Sequence, residues 1–462
     1  MEKVSLLNIA AWMGAEVVGD LSSKIRDIEV STDSRTISPG ALFFALPGPN
    51  FDSHSFVREA LKKGGAAAVV SRSRWPGGGN EVSGPLLVVE DTLSALGRLA
   101  LNYRKRFSPT ILAITGSNGK TTTKEMVADL FSHYYPTLRS ERSFNNLIGL
   151  PLTLLHLRAQ HRMAVIEMGT SGLGEIKALS QICLPNLGLI TNIGPTHLKN
   201  LGTLSQVAQA KLELFESLPP TGIGFLNTDD LYLRFQSSLP AERTVTFSLE
   251  RSSDFWGQRV RKVEGGIEFE VRGETFKLNL MGTYNVYNAL AAISVGRTLG
   301  LDWKEMKEVL ESFQLPPLRM ERNIINGVTI INDAYNANPA SMKSALTALE
   351  GEKGRKFAVL GDMLELGEES DQYHTDVGKH LAGLDIDYLV TVGERAQKII
   401  EGAKRMGYPE KWTYGAATKE EALRYLREMI LYGDTVLVKG SRKMKMETVV
   451  EGIKDFRTVR QE

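Results

Sequence analysis

A chain of 462 residues exceeds what one compact core accommodates, so two to four domains are expected. With 42% hydrophobic and 24% charged residues and a net charge of +1, the composition is that of an ordinary globular protein and gives no electrostatic reason to bind nucleic acid. A single cysteine excludes an internal disulfide, and no apolar run reaches the roughly 18 residues of a membrane span, so a cytoplasmic protein is expected.

The N-terminal stretch "MEKVSLLNIAAWMGAEVVGD" has no cationic segment followed by an unbroken apolar core, as a secretory leader would. "ALFFAL" and "AAAVV" read as buried strands, and residues 94–107 as a helix leading out of a first domain. "SPT" then breaks the pattern. The short basic clusters "YRKRF" and "SRKMK" are expected as solvated helix or loop ends. From Thr110 the chain alternates strand, loop and helix. "TILAITG", "MAVIEMG" and "NLGLITNIG" are the continuous apolar runs of buried parallel strands, which predicts a doubly wound sheet. Cys183, within "SQICLPNLGLI", is expected to be a small core hydrophobe. Around 254–280, alternating residues across Gly-containing turns predict a small antiparallel appendage. After the paired prolines of "QLPPLRMER", the runs "GVTIINDAY", "KFAVLGDM", "DYLVTVG" and "DTVLVKG" predict a further α/β domain. The fold class is therefore α/β in three domains, 1–107, 108–314 and 315–462.

"ITGSNGKTTTKE" (114–125) lies between a strand and a helix, where backbone N–H groups and the helix N-terminus face an anion. Gly116 and Gly119 allow close approach, Lys120 can reach outer phosphates, and the Thr121 hydroxyl can ligate magnesium. Glu167, ending an apolar strand, is a candidate carboxylate ligand for that ion. On the helix 205–218, Val207, Ala210, Leu214, Phe215 and Leu218 share one arc, with Lys211 near its middle and Gln209, Glu213 and Glu216 opposite. A lysine so placed has a lowered pKa, and its neutral amine can take up carbon dioxide as a carbamate, an anionic metal ligand; snorkelling to the surface is the alternative. His197, after a strand, offers an imidazole to a metal or is merely exposed.

The short loop "TGSNGKTT", the segment "MGTYNVYNALAA" (281–292), "LRMER" and "INDAYNANP" together resemble the Mur ligases, ATP-dependent amide-bond-forming enzymes of cell-wall precursor synthesis. The resemblance runs nearly end to end. It implies an N-terminal UDP-substrate domain, a central P-loop domain and a C-terminal Rossmann-like domain. It implies ATP contacts from Gly116, Ser117, Asn118, Gly119, Lys120, Thr121, Thr122, Asn285, Arg319 and Asp333. It further implies magnesium at Thr121, Glu167, His197 and a carbamylated Lys211, with Lys120, Lys211, His197 and Arg319 catalytic and Asn145 and Asn146 facing the muramoyl substrate. Tyr284 stands where the family commonly has His and receives no role. "STDSRTISPGALFFALPG" and "FDSHSF" resemble the uridine-nucleotide domain of the Mur ligases that act later in peptide assembly, and the segments 143–155, 359–370 and 437–447 resemble the members that join D-alanyl-D-alanine to a UDP-N-acetylmuramoyl-tripeptide. A monomer is expected. Ligases for another amino acid or a folate-like acceptor, and a P-loop switch that only hydrolyses ATP, remain as rivals.

Overall fold

The computed structural model describes residues 1–48, 51–75, 82–141, 144–236 and 239–456; Ser143, which opens the 143–155 segment, lies outside them. The described residues form three sheets, each built around apolar strands. In the first, Leu42–Phe44, Ala67–Ser71 and Leu86–Val89 run parallel through the centre and are almost wholly buried. Val30–Ser31 extends one edge, and Glu16–Val18 closes the other antiparallel. The helix Thr92–Arg104, capped by Asp91, leads out of this layer, and the Tyr103 hydroxyl donates to the Leu157 carbonyl at 2.8 Å.

That helix end corrects one expectation. The "YRKRF" cluster is not simply solvated. Arg104 Nε donates to the Cys183 carbonyl at 3.0 Å, and the Arg106 guanidinium lies 5.5–5.8 Å from the rings of Trp12, Tyr103 and Phe107. Arginine is suited to such sites because its planar, weakly hydrated head stacks on aromatic faces. Cys183 is fully buried, and burial pushes its thiol up to about 12, so it packs as a core hydrophobe, as expected.

The second sheet has nine strands. Its parallel part places Thr110–Thr115 between Leu187–Ile190 on one side and Met163–Glu167 on the other. The chain crosses to opposite sides from this central strand, so a crevice opens at its carboxyl end, the position where doubly wound sheets bind ligands. The predicted antiparallel appendage is present as Phe255–Val263, Gly266–Val271 and Glu274–Leu278, but it continues the same sheet, joining it through Thr244–Ser248. The third sheet orders Glu321–Ile325, Val328–Asp333, Thr435–Lys439, Lys356–Gly361, Tyr388–Val392 and Thr413–Ala416, parallel except for the first pair. Among the described residues no helix is long and apolar enough to cross a membrane.

The helix Leu204–Glu216, capped by Thr203, buries Val207, Ala210, Lys211, Leu214 and Phe215 as its periodicity predicts. Glu213 departs from the expectation of a solvent-facing side chain. It is buried, and its carboxylate accepts the Gly174 N–H at 2.6 Å and the Lys177 N–H at 3.0 Å. The N-terminus of the helix Glu175–Cys183 has no cap from its own N-cap residue, Gly174, and Glu213 supplies one from a neighbouring helix.

Candidate active site

Strand Thr110–Thr115 runs into the loop 116–119 and then the helix Lys120–Ser132. Both loop glycines are required sterically. Gly116 has φ +144° and Gly119 φ +81°, and an added Cβ would lie 1.9 Å from Thr191 Oγ1 and 2.3 Å from Asn288 Oδ1 respectively. The loop is pinned by Asn192, whose carbonyl accepts the Ser117 N–H at 2.9 Å and whose side-chain oxygen accepts the Asn118 N–H at 3.0 Å. Gly119 provides no side-chain cap, so the first N–H groups of the helix face the crevice as an anion cradle. Lys120 Nζ folds back to donate to the Gly116 carbonyl at 2.7 Å.

Around this loop lies a cavity of about 730 Å³ lined from both the second and third sheets. Glu167, 2% exposed, accepts the Thr121 hydroxyl at 2.8 Å and the Asn145 amide at 2.8 Å. From the third-sheet unit, Arg319 Nη2 donates to Thr121 Oγ1 at 2.9 Å, its guanidinium 4.1 Å from the Tyr335 ring. Asn338, which caps the helix Pro339–Glu350, donates to the side-chain oxygen of Asn118 at 2.7 Å. Two side-chain hydrogen bonds thus join the C-terminal unit to the phosphate loop.

Lys211 opens into the same cavity, is 2% exposed, and makes no hydrogen bond or ion pair with a described residue. Burial, then the nearby Lys120 charge, holds its pKa well below the ordinary lysine value. Burial and Arg319 also lower Lys120, against an opposing pull from Glu167. The snorkelling alternative for Lys211 is therefore excluded by its burial. His197 lines the cavity too, and burial is the main cause of its lowered pKa. Its Nδ1 lies 2.8 Å from Glu365 Oε2, out of line for a hydrogen bond and an ion pair only when the imidazole is protonated.

Around the loop, the Lys120 ammonium, the Arg319 guanidinium and the helix N-terminus face Glu167, while the Lys439 charge is paired with Asp333. Such a cavity is complementary to a polyanion. Glu167 and Thr121 are adjacent hard oxygen donors, a fit for magnesium, which keeps several waters and shares substrate phosphates rather than needing a full protein cage. Among the described residues no group of three or more His, Cys, Asp or Glu side chains could hold a metal ion.

The remaining sequence candidates also line the cavity, though several are held by protein partners. Asn285 donates to the Met281 carbonyl at 2.7 Å. Asp333 is paired with the buried Lys439 at 2.5 Å and accepts the Met320 N–H at 3.2 Å. Asn145 is spent on Glu167, while Asn146 accepts the N–H groups of Ile148 and Gly149 and so shapes a turn. Ser117 donates to the Gly194 carbonyl at 2.9 Å, and Thr122 completes the wall. Sequence reasoning did not single out Asn192, Asn338 or Lys439, and it left Tyr284 without a role; the Tyr284 hydroxyl is buried in the cavity wall without a hydrogen-bond partner. For Lys439 a signal existed: a lysine ending the apolar run "DTVLVK".

The model of the Mur ligase middle domain matches residues 114–296, that of the Mur ligase glutamate ligase domain 318–442, and that of the Mur ligase family catalytic domain 29–104. The UDP-N-acetylmuramoyl-tripeptide–D-alanyl-D-alanine ligase of Bacillus subtilis (strain 168) is 36% identical over 430 residues, 92% of each chain. A crystal structure of MurF from Acinetobacter baumannii superposes with a TM-score of 0.89 at 31% identity, covering 98% of this chain and 99% of that one. MurF from Thermotoga maritima, solved in complex with ADP, gives 0.81 at 28% identity over 93% and 97%. With its phosphate loop and with relatives matched across almost their full length, this chain belongs to the Mur ligase family.

Proposed function

We propose that this protein is an ATP-dependent ligase that joins D-alanyl-D-alanine to a UDP-N-acetylmuramoyl-tripeptide in peptidoglycan precursor synthesis, releasing ADP and phosphate. The observation that carries the reading is the convergence of Lys120, Lys211 and Arg319, drawn from two units of the chain, beside Glu167 in one cavity. The Bacillus subtilis relative named above carries both substrates in its name.

In this reading the loop 116–122 binds the triphosphate of ATP through its backbone N–H groups, with Lys120 on the outer phosphates. Asp333, held by Lys439, takes the ribose, and Asn285 faces the nucleotide. A tripeptide carboxylate attacks the γ-phosphorus to give an acyl phosphate and ADP. The dipeptide amine then attacks the acyl carbon, and phosphate leaves from the tetrahedral intermediate. Lys120 and Arg319 meet the charge that develops on the transferred phosphoryl group, in a site where they cost no reorganisation. Thr121 and Glu167 would hold one magnesium ion, and His197 with a carbamylated Lys211 a second. Magnesium held there would supply charge neutralisation for the phosphates. The chemistry of Lys211 suits carbamylation: a buried amine whose charged form is disfavoured, without a protein partner, and with the charge of Lys120 nearby to favour the resulting anion. Asn145 and Asn146 border the end of the cavity assigned to the muramoyl peptide.

We assign the first unit, up to about residue 107, to the UDP moiety, and divide the other two near 314. Docking of the third unit closes the cavity over the reacting groups, which keeps water from the acyl phosphate. Since one chain completes the cavity, a monomer suffices, and the use of ATP and a UDP-linked substrate supports a cytoplasmic enzyme. A coupled assay tests the whole reading. ADP release should require both the UDP-muramoyl-tripeptide and D-alanyl-D-alanine; equal release with ATP alone would replace the ligase by a nucleotide switch.

A further inference from the structure

Two sequence segments that mark the D-alanyl-D-alanine-adding type, 359–370 and 437–447, contribute only Lys439 to the cavity. They meet instead at Glu365, outside it. Glu365 Oε1 lies 3.3 Å from Lys443 Nζ, and Glu365 Oε2 lies 2.8 Å from His197 Nδ1 in the central unit. The Glu365 carbonyl also accepts the Lys199 N–H at 3.1 Å. Glu365 and His197 both occupy the left-handed region, at φ +65° and +53°. Non-glycine residues persist there only when their surroundings over-determine them.

The turn carrying Glu365 is firmly mounted. Ser441 Oγ accepts the Leu364 N–H at 2.8 Å, His374 Nε2 accepts the Met363 N–H at 2.9 Å, and Asp362 accepts the Ala396 N–H at 2.7 Å. Beside it, Tyr373 packs against the apolar group Leu198, Leu201, Val207 and Ala210 of the central unit. This contact therefore grips the segment His197–Leu201 and the start of the helix bearing Lys211. It lies apart from the Arg319–Thr121 and Asn338–Asn118 bonds at the nucleotide loop.

We propose that Glu365 is a positioning residue, a latch that seats the C-terminal unit on the His197–Leu201 segment so that closure brings His197 and Arg319 to the substrates together. The role rests on the ligase reading for its kinetic consequence, but its structural consequence is independent of it. The test is Glu365→Ala in the full chain, read in two ways. Because Cys183 is buried, one surface cysteine introduced on each of the two units can be labelled, and the inter-unit distance followed by fluorescence energy transfer without substrates. The variant should shift the population toward longer distances while keeping the wild-type melting temperature, since its side chain is 42% exposed. In the ligase assay, closure multiplies the whole cycle, so kcat/KM should fall about tenfold, by the same factor for ATP and for the UDP-peptide. An unchanged distance distribution overturns the latch. So does kcat/KM within twofold of wild type, or a loss confined to one substrate, which would mark a direct substrate contact. If the wild type shows no ligase activity at all, the function assigned above fails, while the distance measurement still decides the latch.

Discussion

Replacing Lys211 with Met separates catalysis from stability. The side chain is 2% exposed, lies among Val207, Ala210 and Leu214, and has no protein counter-charge in contact. In the folded chain it must either hold an unpaired, buried charge beside Lys120 or release its proton. Release at pH 7 costs at most 1.36 kcal/mol for each unit between 7 and the ordinary 10.5, about 5 kcal/mol in all. Methionine has similar length, fills irregular space and carries no charge. After packing losses a net gain of about 1–4 kcal/mol is expected, in line with replacement of other buried charges by apolar groups.

The pH dependence has a definite sign. Because the folded pKa is depressed, the unfolded chain binds more protons between the folded and unfolded values. Wild-type stability therefore rises with pH through that window, by up to about 1.4 kcal/mol per unit, and the penalty disappears above the unfolded pKa. Calorimetric melting in bicarbonate-free buffer from pH 7 to 10 should show Lys211→Met melting higher at pH 7, with the gap closing as pH rises. At roughly 2–4 °C per kcal/mol the difference is measurable. The same variant should have no ligase turnover. A variant that melts lower at pH 7, with a pH curve parallel to wild type, would refute the claim that an unpaired buried amine is held here.

Lys120→Ala should cut ADP release at least about 10²–10³-fold, as loss of a donor to developing phosphoryl charge does; a change under tenfold removes its assigned role. Gly119→Ala forces φ +81° on an L-residue and drives Cβ toward Asn288, so ATP affinity by calorimetric titration should weaken more than about tenfold while circular dichroism stays native. Glu213→Ala leaves the Gly174 and Lys177 N–H groups without their acceptor. A loss of about 1–3 kcal/mol is expected in urea unfolding, and a loss below about 0.5 kcal/mol would show that the cap is dispensable.

The strands, the phosphate loop and the lysine arc were legible because each is a local pattern. Thr110–Thr115 is an apolar run, the glycines and Lys120 lie within five residues of one another, and Lys211 declares itself by helical phase. Glu213 was misjudged for the complementary reason: its helical phase pointed to solvent, but the exposed N-terminus of another helix occupies that direction.

What local pattern alone determined about this protein is the alternation of strands and helices, the anion-binding turn and one anomalous buried lysine, all set by burial and backbone geometry within a few residues. What required the tertiary structure are the pairings across long separations: Asp333 with Lys439 over 106 positions, Thr121 with Arg319 over 198, Asn118 with Asn338 over 220, and His197 with Glu365. A polar side chain has several possible partners, and its own sequence neighbours do not say which. Packing three layers against one another decides it, because only then is water removed and a particular donor left facing a particular acceptor.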